Sequence, residues 1–236
     1  VKSLLNKSIF TKEFLAGIPF LWRDKNPKGV VVPGDGRIVD QEEKMRTIYR
    51  KFDIINIKPD AENLYNKGDT LDLYQTIERL SMNNKPVVLV KRNGRAVVKG
   101  LKGDGLIKAE ILRAWEIIKT GDRVSKAREF RDYELKSYTD PEKRAKSEVF
   151  ARAENTATIQ PYTNFIIDIG SVNGVEFGDL FYIYRGSEAG DMDDPVMIAS
   201  VTNVENVSST CTAVRIFRER FEKGDSAVLY KRAVFK

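Results

Sequence analysis

Histidine is absent from this 236-residue chain, and cysteine occurs once, at Cys211. Without histidine there can be no Ser-His-Asp or Cys-His catalysis, no histidine-ligated metal and no histidine proton shuttle. A single cysteine excludes an intrachain disulfide and a cysteine-based metal cluster. Because Cys211 alternates with Ala213, we predict a small core residue there rather than a reactive thiol. We therefore expect no catalysis and no cofactor or metal.

Long apolar runs are also missing. None approaches the roughly 18 residues that a membrane-spanning helix needs, so the sequence predicts no transmembrane segment. The chain begins at Val1 without the charged start, apolar stretch and small-residue site of a signal peptide. We expect that a targeting segment lies upstream of Val1.

Charge is mildly unbalanced, with 40 lysines and arginines against 34 aspartates and glutamates and a net charge of +6. The two signs are interspersed, as on an ordinary soluble surface. A mild basic excess also suits a polyanion partner such as nucleic acid, an anionic lipid or an acidic wall polymer. Composition alone leaves both interpretations open.

A Gly-Asp pair recurs before strand-like segments. Glycine supplies a positive φ without a Cβ clash, and the aspartate that follows can accept a backbone hydrogen bond that closes the turn. The alternative is that the four carboxylates bind a metal or act as acid and base. Because the pairs fall at equivalent places in two similar halves, we predict that they are structural turns. The pairs are Gly68-Asp69, Gly121-Asp122, Gly178-Asp179 and Gly224-Asp225.

Both halves follow the same order of features, which predicts a tandem duplication of one small β unit. In each, a Phe-led strand precedes the first Gly-Asp pair, and we align Phe52 with Phe165. Period-two alternation between Gly, Asn, Asp or Pro turns favours a barrel or sandwich. The predicted fold is mainly β. It comprises an N-terminal extension at 1–37, a first β-barrel unit at 38–128, a charged linker at 129–148 and a second β-barrel unit at 149–236.

Two segments carry helical signals. The extension fits a short helix with Thr11 as N-cap, ending near Gly17. The segment 107–118 fits both a helix and a strand by periodicity. Its counterpart after Ser209 begins with β-rich residues, so we predict a strand followed by one helical turn before Gly121.

Two surfaces are candidates for binding. The first is a basic cluster around an expected hairpin turn at Asn93-Gly94, which could hold a polyanion through charge or protect a sheet edge as a solvated hairpin. The second is an aromatic face: alternation buries either Phe181 and Ile183 or the tyrosines beside them, and the tyrosines are the more polar pair. The basic cluster comprises Lys91, Arg92, Arg95, Lys99 and Lys102, and the aromatic face comprises Tyr182 and Tyr184.

Two further motifs invite a ligand interpretation. AGDMDDP places Asp191, Asp193 and Asp194 together but lacks the ligand spacing of a calcium loop. The GDG motifs at Gly34 and Gly103 lack the strand–helix context of a nucleotide site. We predict loops and turns at all of these places.

A longer pattern runs through the second half: a strand, G-x-x-x-G-V-x-x-G-D, a hydrophobic strand, V-x-x-V, a small-residue strand and a closing x-x-G-D-x-V. It is carried by Gly170, Gly174, Val175, Gly178, Asp179, Val201, Val204, Gly224 and Asp225. With this pattern, residues 160–232 resemble the C-terminal domain of flagellar assembly protein T and related modules of bacterial envelope proteins, some of which carry LysM repeats. The closing element departs by one step, because Ala227 stands where the family has valine.

This resemblance implies small SH3-like β-barrels in a periplasmic or envelope setting, with no catalytic residue. We therefore expect a non-catalytic structural or interaction region that binds other envelope proteins or lies close to peptidoglycan. The alternative is a small-barrel protein that binds nucleic acid or another polyanion. A more remote alternative is a carboxylate-dependent glycan hydrolase, which would need two carboxyl groups about 5–9 Å apart across a cleft.

Overall fold

The computed structural model describes residues 7–23, 29–33, 48–61, 64–102, 105–153, 158–186 and 194–236. It confirms the predicted mainly β fold. The chain divides into two compact units: Trp22–Glu129 forms one, and Val1–Leu21 with Phe130–Lys236 forms the other. Each unit contains a closed sheet of six strands, and we call these sheets the first barrel and the second barrel.

The first sheet is antiparallel, and hydrogen bonds close it in the order β6-β5-β9-β2-β4-β7, with β7 returning to β6. The edge strand β1 neighbours β6, and β3 pairs with β8 separately. The strands are β1 (Phe20–Arg23), β2 (Gly29–Val32), β3 (Ile48–Tyr49), β4 (Ile54–Pro59), β5 (Thr70–Met82), β6 (Lys85–Leu101), β7 (Ile107–Ala114), β8 (Ile118–Lys119) and β9 (Arg123–Lys126).

The second barrel closes in the order β16-β11-β12-β15-β14-β13, with β13 returning to β16, and β10 adds to the outside of β16. Its strands are β10 (Leu135–Thr139), β11 (Lys146–Arg152), β12 (Asn164–Ile167), β13 (Leu180–Tyr184), β14 (Met197–Val204), β15 (Ser209–Ile216) and β16 (Ser226–Phe235). Helical structure among the described residues is limited to the α-helix α1 (Lys12–Ala16) and 3-10 turns at Lys7–Phe10 and Ser171–Asn173.

The two rings have the same topology. The strands β2, β4, β5, β6, β7 and β9 correspond in order to β11, β12, β13, β14, β15 and β16, and every pairing that closes the first ring recurs in the second. The cores correspond as well, because the alternate residues of equivalent strands point inward and are buried. Examples are Val31 with Val149, Ile55 with Phe165, Leu71 with Phe181 and Val98 with Val201. The predicted duplication is therefore visible in strand order and in the core.

One alignment made from the sequence is wrong by three residues. The counterpart of Phe52 is Tyr162, because each has a positive φ (73° and 70°) in the turn before β4 or β12. The Phe52 N–H donates to Ile111 O and the Tyr162 N–H donates to Ala213 O. Phe165 instead occupies the core position of Ile55. The sequence match followed the aromatic residue type, whereas the structure matches the turn.

The expected boundaries differ from the strands in two places. The extension at 1–37 contributes β2 to the first barrel, and the segment 129–148, expected to be a linker, contains β10 and the start of β11. Each six-stranded ring needs a strand before β4 or β12, so the repeated unit begins earlier than its Gly-Asp pairs suggest. The predicted helix is present, with the Thr11 side chain accepting a hydrogen bond from the Phe14 N–H.

The expected hairpin turn at Asn93-Gly94 lies instead inside β6. The real turn is Asn83-Asn84, where both residues have positive φ (52° and 60°) between Met82 and Lys85, which pair. Two positive φ values are what a two-residue hairpin turn requires, and asparagine tolerates them. Near Gly121, the predicted helical turn is replaced by the short strand β8, while the strand at 107–114 is present.

Candidate binding surfaces

The four Gly-Asp pairs adopt one geometry. Each glycine has a φ between 85° and 92°, a region that favours glycine. One carboxylate oxygen of each aspartate accepts a hydrogen bond from the N–H three residues earlier, at 2.7–3.0 Å. In each pair, the glycine N–H donates to the carbonyl of one valine on a neighbouring strand, and the N–H of the same valine donates to the aspartate C=O. In chain order of the pairs, these valines are Val98, Val31, Val201 and Val149. Every pair thus closes a turn and fastens it to a neighbouring strand.

Electrostatic surroundings differ among these carboxylates. Burial raises the pKa of Asp179 to about 6, although the Glu176 N–H and the Arg232 guanidinium oppose that change. Burial also raises the pKa of Asp122. At Asp69 the hydrogen bond from the Asn66 N–H lowers the pKa. The hydrogen-bond geometry is constant while the charge environment varies, which is typical of a structural role.

The basic cluster predicted from the sequence is paired with carboxylates. Lys91 Nζ lies 2.5 Å from Glu116 Oε1, and Lys99 Nζ lies 2.5 Å from Glu110 Oε2. Arg92 and Arg95 turn to Asp72, as described below. These four side chains therefore do not form an open cationic patch. Lys102 lies just after β6, and its backbone N–H donates to the Leu106 carbonyl at 2.7 Å.

Asp72 is the centre of a buried ionic cluster that sequence reasoning missed. Its side chain is fully buried on β5 and accepts hydrogen bonds from Arg92 Nη1 (3.2 and 3.3 Å) and from Arg95 Nε (2.8 Å) and Nη2 (3.3 Å). The Arg128 N–H adds another at 2.9 Å. Both oxygens of the Asp72 carboxylate are occupied by these donors, so Asp72 is suited to joining strands.

Arg92 also links this cluster to the surface. Its guanidinium carbon lies 4.2 Å from the centroid of the Trp115 ring, in a cation–π contact. Trp115 is 42% exposed. The sequence did contain a signal for the cluster: Asp72 stands between Leu71 and Leu73 in an alternating strand, opposite a strand that carries Arg92 and Arg95.

The tyrosine face lies on the second barrel. Phe181 and Ile183 are in the core, and Tyr182 points outward. Its ring centroid lies 4.2 Å from that of Tyr230 on β16. Burial and the neighbouring tyrosines raise the pKa of Tyr182 to about 12. Tyr184 was expected to be exposed but is only 5% exposed, so the open part of this face is limited to Tyr182 and Tyr230.

A polar ladder on the outside of the second barrel was also missed. Thr202 Oγ1 and Thr212 Oγ1 are 2.9 Å apart, and the Thr212 hydroxyl donates to Asn164 Oδ1 at 2.7 Å. The Thr210 hydroxyl donates to the Pro19 carbonyl at 2.7 Å. The segment after α1 is therefore held against β15.

Other candidate ligands are accounted for in the described part of the chain. Cys211 is fully buried in the core, and burial raises the pKa of its thiol. Asp194 forms an ion pair with Arg218. Asp191, Asp193 and the GDG glycines Gly34 and Gly103 lie outside the described residues. Among the residues that are described, no group of three histidine, cysteine or acidic side chains is placed to hold a metal.

Comparison with known proteins gave no relative: neither a protein-family model nor a curated protein matches the sequence. In the described ranges, no helix has the length and apolar character needed to cross a membrane.

Proposed function

We propose that this chain is a non-catalytic structural and interaction region of a bacterial cell-envelope protein, located in the periplasm or associated with the envelope. Its role would be to bind other envelope proteins or to lie close to peptidoglycan, as expected of the small-barrel envelope modules that it resembles in sequence. The chain itself supports the proposal because several of its carboxylates are used in structural hydrogen bonds and ion pairs.

The observation that carries this proposal is the repeated use of carboxylates in turns. Asp69, Asp122, Asp179 and Asp225 each accept a backbone hydrogen bond that closes a turn, and Asp72 is saturated by arginines. A hydrolase needs carboxyl groups that are available to protonate or attack a substrate. Polyanion binding has less support, because the predicted cations lie against Asp72, Glu110 and Glu116.

The test is location and contact in the bacterium that carries the full-length protein. We expect the protein in the envelope fraction, with photo-crosslinkers at the exposed positions Val172 and Phe217 capturing envelope proteins or peptidoglycan fragments. A crosslinker at the buried Phe181 serves as the control and should capture nothing. A purely cytosolic protein would overturn the proposal, and titration with single-stranded and duplex DNA at two salt concentrations would then test the polyanion alternative.

A further inference from the structure

Exposed apolar side chains concentrate on one ribbon of the first barrel unit. Residues 48–54 and 110–119 run antiparallel: Ile54 pairs with Glu110, the Phe52 N–H bonds Ile111 O, and Tyr49 pairs with Ile118. We call this pair of segments the 48–54/110–119 ribbon. Six of its apolar side chains are exposed. Single exposed apolar residues are normal on a protein surface, whereas several together mark an interaction site. They are Ile48 (51%), Phe52 (66%), Ile54 (51%), Leu112 (37%), Trp115 (42%) and Ile117 (60%).

The backbone of the ribbon holds these side chains outward. The Arg50 N–H donates to Asp53 Oδ2 at 2.9 Å, and this turn sets Phe52 at a φ of 73°. The Trp115 and Glu116 N–H groups both donate to the Asn93 carbonyl. A bulky residue at positive φ is uncommon. The bonds from the Phe52 N–H to the Ile111 carbonyl and from the Arg50 N–H to Asp53 Oδ2 hold the turn that contains Phe52.

Cations surround the apolar side chains. Arg50, Lys51, Arg113 and Lys119 belong to the ribbon. Lys51 Nζ lies 4.6 Å from the centroid of the Phe52 ring, in a cation–π contact, and the charge of Lys119 acts on the carboxylate of Asp122. The ribbon's glutamates, Glu110 and Glu116, are neutralised by Lys99 and Lys91, which leaves Asp53 as its remaining carboxylate. The ribbon therefore carries exposed apolar side chains together with more cations than carboxylates.

The equivalent ribbon of the second barrel is different. Tyr162, the counterpart of Phe52, packs edge-on against Phe14 of α1 at 5.7 Å between ring centroids. Val214, the counterpart of Leu112, packs against the cluster that contains Phe10. Asn164 stands in place of Ile54 and joins the polar ladder. The second ribbon keeps some exposed aromatic surface, because Tyr162 is 39% exposed and Phe217, the counterpart of Trp115, is 44% exposed. Its counterparts of Ile54 and Leu112, however, are engaged within the unit by a hydrogen bond and by apolar packing.

We propose that the 48–54/110–119 ribbon docks on an anionic phospholipid surface. Phe52, Trp115 and the aliphatic side chains would enter the headgroup region, as aromatic and aliphatic residues do at membrane interfaces. The flanking lysines and arginines would lie against the lipid phosphates. This inference rests on the envelope location proposed above, because that location supplies the membrane.

Lipid fits the ribbon better than nucleic acid does. Single-stranded nucleic acid is held by aromatic rings on which bases stack, whereas four of the six exposed side chains are isoleucine or leucine. Transfer of an aliphatic side chain from water into any apolar phase lowers the free energy. Positive charge around them selects an anionic phase.

Vesicle binding by the full 236-residue chain tests the proposal. The probes are vesicles of phosphatidylcholine alone and of phosphatidylcholine with phosphatidylglycerol. The chain has two tryptophans, and Trp22 is 4% exposed, so an emission shift would report Trp115. We expect co-sedimentation and a blue shift with the anionic vesicles, both weakened by salt. Phe52→Ser with Ile117→Ser should weaken binding at least about tenfold.

The matched control is Val172→Ser with Phe217→Ser, which removes two exposed apolar side chains (69% and 44%) from the second barrel. This variant should bind as the unaltered chain does. Absence of binding to anionic vesicles by folded protein, or equal losses in both variants, would overturn the proposal. Binding to a single-stranded oligonucleotide without binding to vesicles would also overturn it, in favour of nucleic acid. Crosslinks to envelope proteins without vesicle binding would leave the proposed function intact, whereas vesicle binding by a purely cytosolic protein would overturn only that function.

Discussion

Replacing Asp72 with alanine is expected to lower the free energy of unfolding by about 3–5 kcal/mol. The side chain is fully buried, and Arg92, which is 5% exposed, would keep its charge without its carboxylate partner. Arg95 and the Arg128 N–H would lose their acceptor as well. Denaturant unfolding followed by far-ultraviolet circular dichroism measures the difference.

A matched control is Glu110→Ala, which removes the partner of Lys99 in a partly exposed ion pair. Such pairs contribute up to about 1 kcal/mol, so this change should be small. A triple variant, Asp72→Leu with Arg92→Met and Arg95→Met, should recover much of the loss, because a buried ion pair can be replaced by apolar side chains. A loss at Asp72→Ala no larger than at Glu110→Ala would contradict the buried cluster.

Gly178→Ala is expected to cost about 2–5 kcal/mol of unfolding free energy. Part of the cost, about 1–2 kcal/mol, comes from placing a Cβ at a positive φ, here 85°. The rest, about 1–3 kcal/mol, comes from overpacking. The new Cβ would lie 2.6 Å from Phe235 Cζ and 2.7 Å from Ala233 Cβ. The Phe235 ring already packs edge-on against Phe10 at 5.4 Å between centroids.

Gly68→Ala is the control for that prediction. Gly68 occupies the equivalent turn of the first barrel with a φ of 92°, and a Cβ there would meet nothing within 4 Å. It should therefore show the backbone cost alone, about 1–2 kcal/mol. The comparison is made by denaturant unfolding of both variants. Equal losses of unfolding free energy at the two glycines would show that the contacts with Phe235 and Ala233 add nothing to the cost of Gly178→Ala.

Much of the fold could be predicted from the sequence because its signals are local. Glycine before aspartate marks a turn by the backbone conformation that it permits, and alternation placed Phe181 and Ile183 in the core. Both signals involve neighbouring residues. The same reasoning failed at Phe52, because an aromatic side chain resembles a strand residue even when a turn with positive φ holds it outside the barrel.

Most of the site could not be predicted, because it depends on pairs that are distant in the chain. In the sequence, the cations near Arg92 predict a polyanion site because their partners cannot be seen. In the structure, those partners are Asp72, Glu110 and Glu116, which lie on or next to neighbouring strands. The 48–54/110–119 ribbon joins segments that are about sixty residues apart, and hydrogen bonds bring them together. The sequence predicts that β2 belongs to the extension, because nothing near β2 in the chain shows that it pairs with β4 and with the distant β9.

Asp122 tests the central claim, that the repeated carboxylate is a turn acceptor rather than a catalytic or metal-binding charge. Asp122 Oδ2 accepts hydrogen bonds from the Lys119 N–H at 2.8 Å and from Asn93 Nδ2 at 2.6 Å. An asparagine oxygen can accept both bonds without the charge. Alanine instead leaves the Lys119 N–H and one of the two Asn93 Nδ2 hydrogens without this acceptor, while the bond from Asn93 Nδ2 to the Ile117 carbonyl remains. Each buried unpaired donor costs about 1–3 kcal/mol.

The measurement is the free energy of unfolding of Asp122→Asn and Asp122→Ala, relative to the unaltered chain, at acid and neutral pH. Burial raises the pKa of Asp122 in the folded state, so the unaltered chain loses stability from this residue as pH rises from the unfolded pKa through the folded one. We predict that alanine is destabilising by about 1–3 kcal/mol or more, that asparagine stays close to the unaltered chain, and that asparagine gains relative to it as pH rises. If asparagine is as destabilising as alanine at both pH values, the charge is what the fold needs, and the account of the Gly-Asp turn is contradicted.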